Sequence, residues 1–309
     1  MASFCRPEAL AMLGALRLPA ARWTRPQQAR SRRTTFLASI LGFVAAAIFA
    51  MKAFDAGPLP ESPIQHFYVV SAASLLAALV AAILAVTTVQ IGLYRVLLLC
   101  LGFTTMGGIF AVHGLLTPGV VVPDHLEASA YKVIAMSAHF SLAVPAIFFA
   151  ASFAPGMAWL ERRLPFWPAG WLVVLTVVCL AVYGLVALLD MNLLSSSALT
   201  SSAFSTGLTA GTIGLLLFSA FQQARLYRTT GLESQADLIF AFVMLAEAAA
   251  AMSIFGIWAV GWWFYHLLML TAVCFALRAL VVERLHRDSF KVSVEAALEL
   301  GYEIPSSPG

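Results

Sequence analysis

Runs of about 20 apolar residues, each closed by a short polar connection, recur along this chain. They lie near 35–54, 66–89, 95–116, 131–153, 170–190, 203–222, 237–258 and 262–282. A helix rises about 1.5 Å per residue and a bilayer core is about 30 Å thick, so each run is long enough, or nearly so, to span one. The pattern predicts an all-α, polytopic membrane helix bundle of about eight transmembrane helices. The link between the last two runs, around Val260 to Trp262, is so short that they read as a tight helical hairpin. Residues 1–34 then form a cytoplasmic arm, 35–283 the transmembrane domain, and 284–309 a cytoplasmic helix and tail.

Composition strengthens the assignment. Hydrophobic residues make up 61% of the 309 and charged residues 11%, against about 25% charged in a soluble domain. A soluble core could not hide that much apolar surface. Of the 18 basic residues, all but Lys52 and Lys132 fall on one side if the N-terminus is cytoplasmic. The positive-inside rule then puts both termini in the cytoplasm and the protein in the inner (plasma) membrane. Trp258, Trp262 and Trp263 cluster at an outer edge, where interfacial anchors are expected. The arm is rich in arginine and reads as a contact with the anionic inner leaflet, not with nucleic acid. Cys5, Cys100, Cys179 and Cys274 show neither CxxC nor metal-ligand spacing. With no lysine in the middle of any run, a retinal Schiff base is excluded.

The candidate chemistry lies in the histidines. On the predicted topology His66 starts the second run, His113 lies about 5 Å inside the outer end of the third, and His266 about 6 Å inside the outer start of the eighth. His139 is deeper, at about 12 Å, and Glu247 is near the midplane. Histidine and glutamate inside a membrane are costly unless they face the bundle interior and find partners. Imidazole is also the commonest metal ligand and an axial ligand of haem. His113, His266, Glu247, His139 and His66 are therefore the candidate ligand- or metal-binding residues, with a transition metal or haem as possible cofactor. A packed, hydrogen-bonded histidine is the plainer alternative, above all for His66 and His139. The central expectation is that His113 and His266 face one another or share a cavity, with Glu247 below and His139 the next neighbour.

Three stretches carry a family likeness: HFYVVSAASLLAALVAAILA (66–85), IFAVHGLLTPG (109–119) and AVGWWFYHLLMLTAV (259–273). Together they resemble the N-terminal multi-span membrane domain of bacterial class III adenylate/guanylate cyclases, over residues 66 to 283. The resemblance implies a sensor or anchor domain and marks His66, His113 and His266 as family-like positions without an established role. About 27 residues follow the last run, too few for a cyclase domain, and no catalytic aspartate pair is present. Nucleotide cyclisation is thus not implied.

The expected function is a membrane sensory or regulatory domain. An outer His/Glu cluster would bind a metal, haem or small ligand, and the C-terminal helix 278–300 would signal to a cytoplasmic partner or within a homo-oligomer. The rival is an integral-membrane metalloenzyme, although HExxH, Asp-rich and Ser/His/Asp motifs are all missing. A transporter is a third option, with Pro145 as a possible helix break.

Overall fold

The computed structural model describes residues 39, 42, 44–53, 57–123, 126–163, 169–195 and 201–285. Two units are distinguished, Met1–Ile40 and Leu41–Gly309, and the helices below belong to the second. In chain order these are α1 (Val44–Ala53), α2 (Pro63–Ile91), α3 (Tyr94–Leu115), α4 (Glu127–Ser152), α5 (Met157–Arg163), α6 (Ala169–Leu189), α7 (Met191–Ser195), α8 (Ser202–Thr230), α9 (Glu233–Ile254) and α10 (Val260–Leu285). Seven of them (α2, α3, α4, α6, α8, α9 and α10) are long and apolar enough to cross a membrane. The protein is a polytopic helical bundle, as the run pattern predicts. The first run is represented by α1, a shorter apolar helix, and apart from Ser39 and Gly42 its other residues lie outside those described. The arm 1–34 and residues 286–309, with most of the proposed C-terminal helix, also lie outside them.

Polar residues enter the spans by hiding their hydroxyls. Ser74, Thr88, Thr105, Ser137, Thr212 and Ser219 each donate to the carbonyl four residues earlier on their own helix, leaving no bare donor in an apolar surrounding. Between helices, Ser137 pairs with Tyr183 and Ser253 donates to Thr209 at 2.9 Å. Helices α2 and α8 end alike, at Gly92 and Gly231, with φ of 71° and 69°. The glycine N–H closes back on the Thr88 or Tyr227 carbonyl at 2.8 Å, a left-handed stop that a side chain would strain.

Six spans form a closed ring in which neighbours pack in the order α2, α3, α4, α8, α9, α10 and back to α2. Short links make consecutive spans antiparallel, but the α10–α2 contact joins opposite ends of the sequence. The spacing inside the ring is set partly by glycine. A Cβ at Gly114 would lie 2.9 Å from Val70 Cγ1, and one at Gly102 would overlap the Phe149 ring. Helix α6 stands outside the ring against α3, with Trp171, Leu175, Val182 and Leu185 exposed, as a lipid-facing helix would be.

Two sequence expectations need adjustment. Pro145 is buried inside α4 and does not break it, which removes the one hint of a broken transporter helix. The seventh run does not continue to residue 258. Helix α9 ends at Ile254 and an apolar loop, 255–259, precedes α10. The loop is as apolar as a span, and its one buried residue, Trp258, is 6% exposed and packs onto the histidines described next.

Candidate metal centre

His66 lies in the first turn of α2, His113 in the last turn of α3 and His266 near the start of α10. Because α3 runs antiparallel to the other two, all three reach the same end of the bundle. Each imidazole is buried, at 2%, 0% and 0% exposure. Their Nε2 atoms converge: His66 Nε2 is 3.0 Å from His113 Nε2 and 3.1 Å from His266 Nε2. The candidate ligand atoms of the trio all lie within 4.8 Å of one another.

The other ring nitrogens fix the protonation pattern. His113 Nδ1 is 2.9 Å from the Ile134 carbonyl of α4, and His266 Nδ1 is 2.9 Å from the Trp262 carbonyl. A carbonyl can only accept, so both Nδ1 atoms carry the hydrogen and both neutral rings aim an Nε2 lone pair at His66. His66 Nδ1 meets the Thr117 hydroxyl at 3.0 Å. That hydroxyl can donate or accept, so a neutral His66 brings at most one proton to the meeting point. One proton cannot serve both facing lone pairs well. Three imidazole nitrogens, each oriented from behind by a hydrogen bond, are the donor set and support that a metal ion requires. A cation about 2.0–2.1 Å from three nitrogens in tetrahedral geometry spaces them about 3.3–3.4 Å apart, a few tenths of an ångström beyond the short contacts seen.

Aromatic rings wall the cluster. Trp262 lies 4.8 Å from His66 and 4.6 Å from His266 between ring centroids, Tyr265 lies 3.9 Å from His266, and Phe110 stacks on His113 at 5.1 Å. Trp258 has φ of 65°, a left-handed backbone that costs a bulky residue about 1–2 kcal/mol. Two contacts hold it there: Leu59 donates to the Trp258 carbonyl at 2.9 Å, and Pro58 bridges Ala259. The same strap ties the segment before α2 to the loop before α10, so it also aligns two of the three histidine helices. The tryptophans are thus not simply interfacial anchors, since Trp258 and Trp262 are both buried against imidazole.

His113 and His266 meet as expected, but through His66, which is the hub and not a bystander at the water boundary. Glu247 and His139 do not join the trio. The Nδ1 of His139 binds the Ala135 carbonyl of its own helix at 2.8 Å. Its ring lines a separate cavity of about 300 Å³ between α4 and α8, shared with Lys132, Met136 and Phe204. Glu247 lies on α9, which borders α8 and α10 in the ring but not α2 or α3. His66 with His113 or with His266 does not suit a bis-imidazole haem, because two axial imidazoles on one iron sit on opposite faces of a macrocycle with their nitrogens about 4 Å apart, against 3.0 and 3.1 Å here. Sequence reasoning missed Thr117, whose only signal is its place in the turn after His113, and Trp258. It could not have found the two carbonyls, which are backbone atoms.

Among the described residues, His66, His113 and His266 are the one group of three or more His, Cys, Asp or Glu side chains close enough to share an ion. Comparison with protein-family models, with curated proteins and with solved structures finds no match for this chain.

Proposed function

We propose that the protein is a membrane sensory or regulatory module that holds a transition-metal ion between His66, His113 and His266. The observation that carries this reading is the convergence of three Nε2 atoms whose rings are held from behind by the Ile134 carbonyl, the Trp262 carbonyl and the Thr117 hydroxyl. The ion would join α2, α3 and α10 across the α10–α2 closure of the ring. Occupancy would then bias the position of α10, which reaches the opposite end of the bundle, where Arg278 donates to Asp237 of α9 at 2.6 Å. On the charge-based topology that end is cytoplasmic, and the output is a contact with a cytoplasmic partner or a second copy of the chain. The cyclase-like stretches support the reading from another side, since each of the three contributes one histidine of the trio.

The test is elemental analysis of the purified full chain, combined with hydrogen exchange along α10. One transition-metal ion per chain is expected, absent from the His66→Ala/His113→Ala/His266→Ala variant, with no Soret band. Removing the metal should raise exchange as far as Ala276–Leu285. Faster exchange confined to the histidine end would leave a metal protein without the sensory role.

A metalloenzyme is the second reading, because three protein ligands leave a position open for water or substrate. It predicts an oxygen ligand on the bound ion.

A further inference from the structure

The charge of the site constrains which ion it takes. This inference rests on the proposed metal centre and concerns the ion's identity. The three ligands are neutral imidazoles, two of them fixed as such by the carbonyls behind their Nδ1 atoms. Among the described residues, no carboxylate or thiolate joins the group. Cys100 lies well along α3, toward the other end of the bundle, and Glu247 lies on α9. The walls are Phe110, Trp258, Trp262 and Tyr265, which offer ring faces and no negative charge. The trio itself is at most 2% exposed.

A divalent ion held by three neutral ligands keeps its full +2 charge in this setting. The cost of moving an ion out of water grows with the square of its charge, so a +1 complex is penalised about four times less than a +2 complex of the same size. A divalent ion would have to import an anion such as hydroxide or chloride, which needs space and access beside the imidazoles. A monovalent d10 ion needs neither, because it is content with three nitrogen ligands. Imidazole suits zinc, copper, iron and nickel alike, so the charge of the shell and not the ligand type separates them here.

We infer that His66, His113 and His266 form a copper(I) site, with copper(I) bound in a three-coordinate, all-nitrogen shell. No redox step is involved: the ion enters and leaves as copper(I). Thr117 is a positioning residue, setting the His66 ring through Nδ1.

The test uses the full chain in detergent micelles under anaerobic conditions. Copper(I) is delivered as its acetonitrile complex and competed with a copper(I) chelator; zinc(II) is titrated in parallel against a zinc chelator. The expected result is one copper(I) per chain, with an X-ray absorption edge and shell of three nitrogens. Zinc should bind at least tenfold more weakly and depend on added chloride or on hydroxide. Each single His→Ala variant should lose at least 100-fold in copper(I) affinity, with the helical circular dichroism retained as the check on folding. A second variant, His266→Glu, adds the missing negative charge and should reverse the preference in favour of zinc. Tighter binding of zinc or iron(II) than of copper(I) by the unmodified chain, with an oxygen or chloride in the shell, would overturn the copper inference and leave the metal centre standing. Failure of copper, zinc, iron and nickel alike to bind would overturn the centre itself. A His266→Glu variant with unchanged preference would show that charge does not select the ion.

Discussion

The close approach of α2 and α3 at Gly114 offers the sharpest probe of how packing positions the ligands. A Cβ at Gly114 would lie 2.9 Å from Val70 Cγ1 and 3.5 Å from Val70 Cβ. Carbon atoms rest about 3.5–4.0 Å apart, so Gly114→Ala must open the contact by about 0.6–1.1 Å. Val70 cannot easily yield, since it is fully buried and valine in a helix has one strongly preferred χ1. The helices must therefore separate, at an overpacking cost of about 1–3 kcal/mol. Gly114 adjoins His113, and Val70 lies four residues after His66 on the same face of α2. The separation is thus passed to the 3.0 Å His66–His113 contact. Metal–ligand distances tolerate about 0.2 Å, so the affinity should fall on the order of 10- to 100-fold, or about 1.4–2.7 kcal/mol. Competition titration of the detergent-solubilised chain measures this directly, with thermal unfolding run beside it. Val70→Ala in the same chain removes the obstructing methyls and should restore affinity to within about threefold, although its own cavity costs about 1–3 kcal/mol of stability. Wild-type affinity in Gly114→Ala, or failure of Val70→Ala to rescue it, would refute the claim that this helix spacing sets the ligand geometry.

Other outcomes follow from the same contacts. Replacing His139 by alanine or Glu247 by glutamine should leave metal affinity unchanged in the same titration, because neither residue belongs to the trio. Thr117→Val keeps the shape of the turn but removes the hydroxyl behind His66; affinity should drop about 10-fold or more while the unfolding midpoint moves little. Arg278→Ala deprives the buried Asp237 carboxylate of its 2.6 Å partner and should destabilise the bundle by about 1–3 kcal/mol in thermal unfolding, with Asp237→Asn recovering part of the loss. Reporter fusions at Ser197 and Gly231 should fall on opposite sides of the membrane, with Ser197 outside; the same side for both would overturn the topology read from the basic residues.

The sequence alone determined the solvent and the class of fold. Apolar runs of bilayer length can satisfy their backbone in lipid only as helices, so α2, α3, α4, α6, α8, α9 and α10 were legible from run length. His113 and His266 were legible as partners because helical rise converts residue number into depth. Depth says nothing about which face a residue turns inward or which helices are neighbours. The joining of α10 to α2 sets His266 against His66 across 200 residues, and together with the α2–α3 packing that sets His113 there it makes His66 the hub, whereas His139 turns to the Ala135 carbonyl of its own helix. The loop 255–259 was misread for a related reason: buried tryptophans over imidazole and tryptophans inside a span share the same hydrophobicity. The carbonyls of Ile134 and Trp262 carry no side-chain signature, yet they decide which imidazole nitrogen is free to bind. Composition and periodicity report how each segment meets its solvent, whereas convergence of ligands depends on how segments meet one another, which is decided by packing.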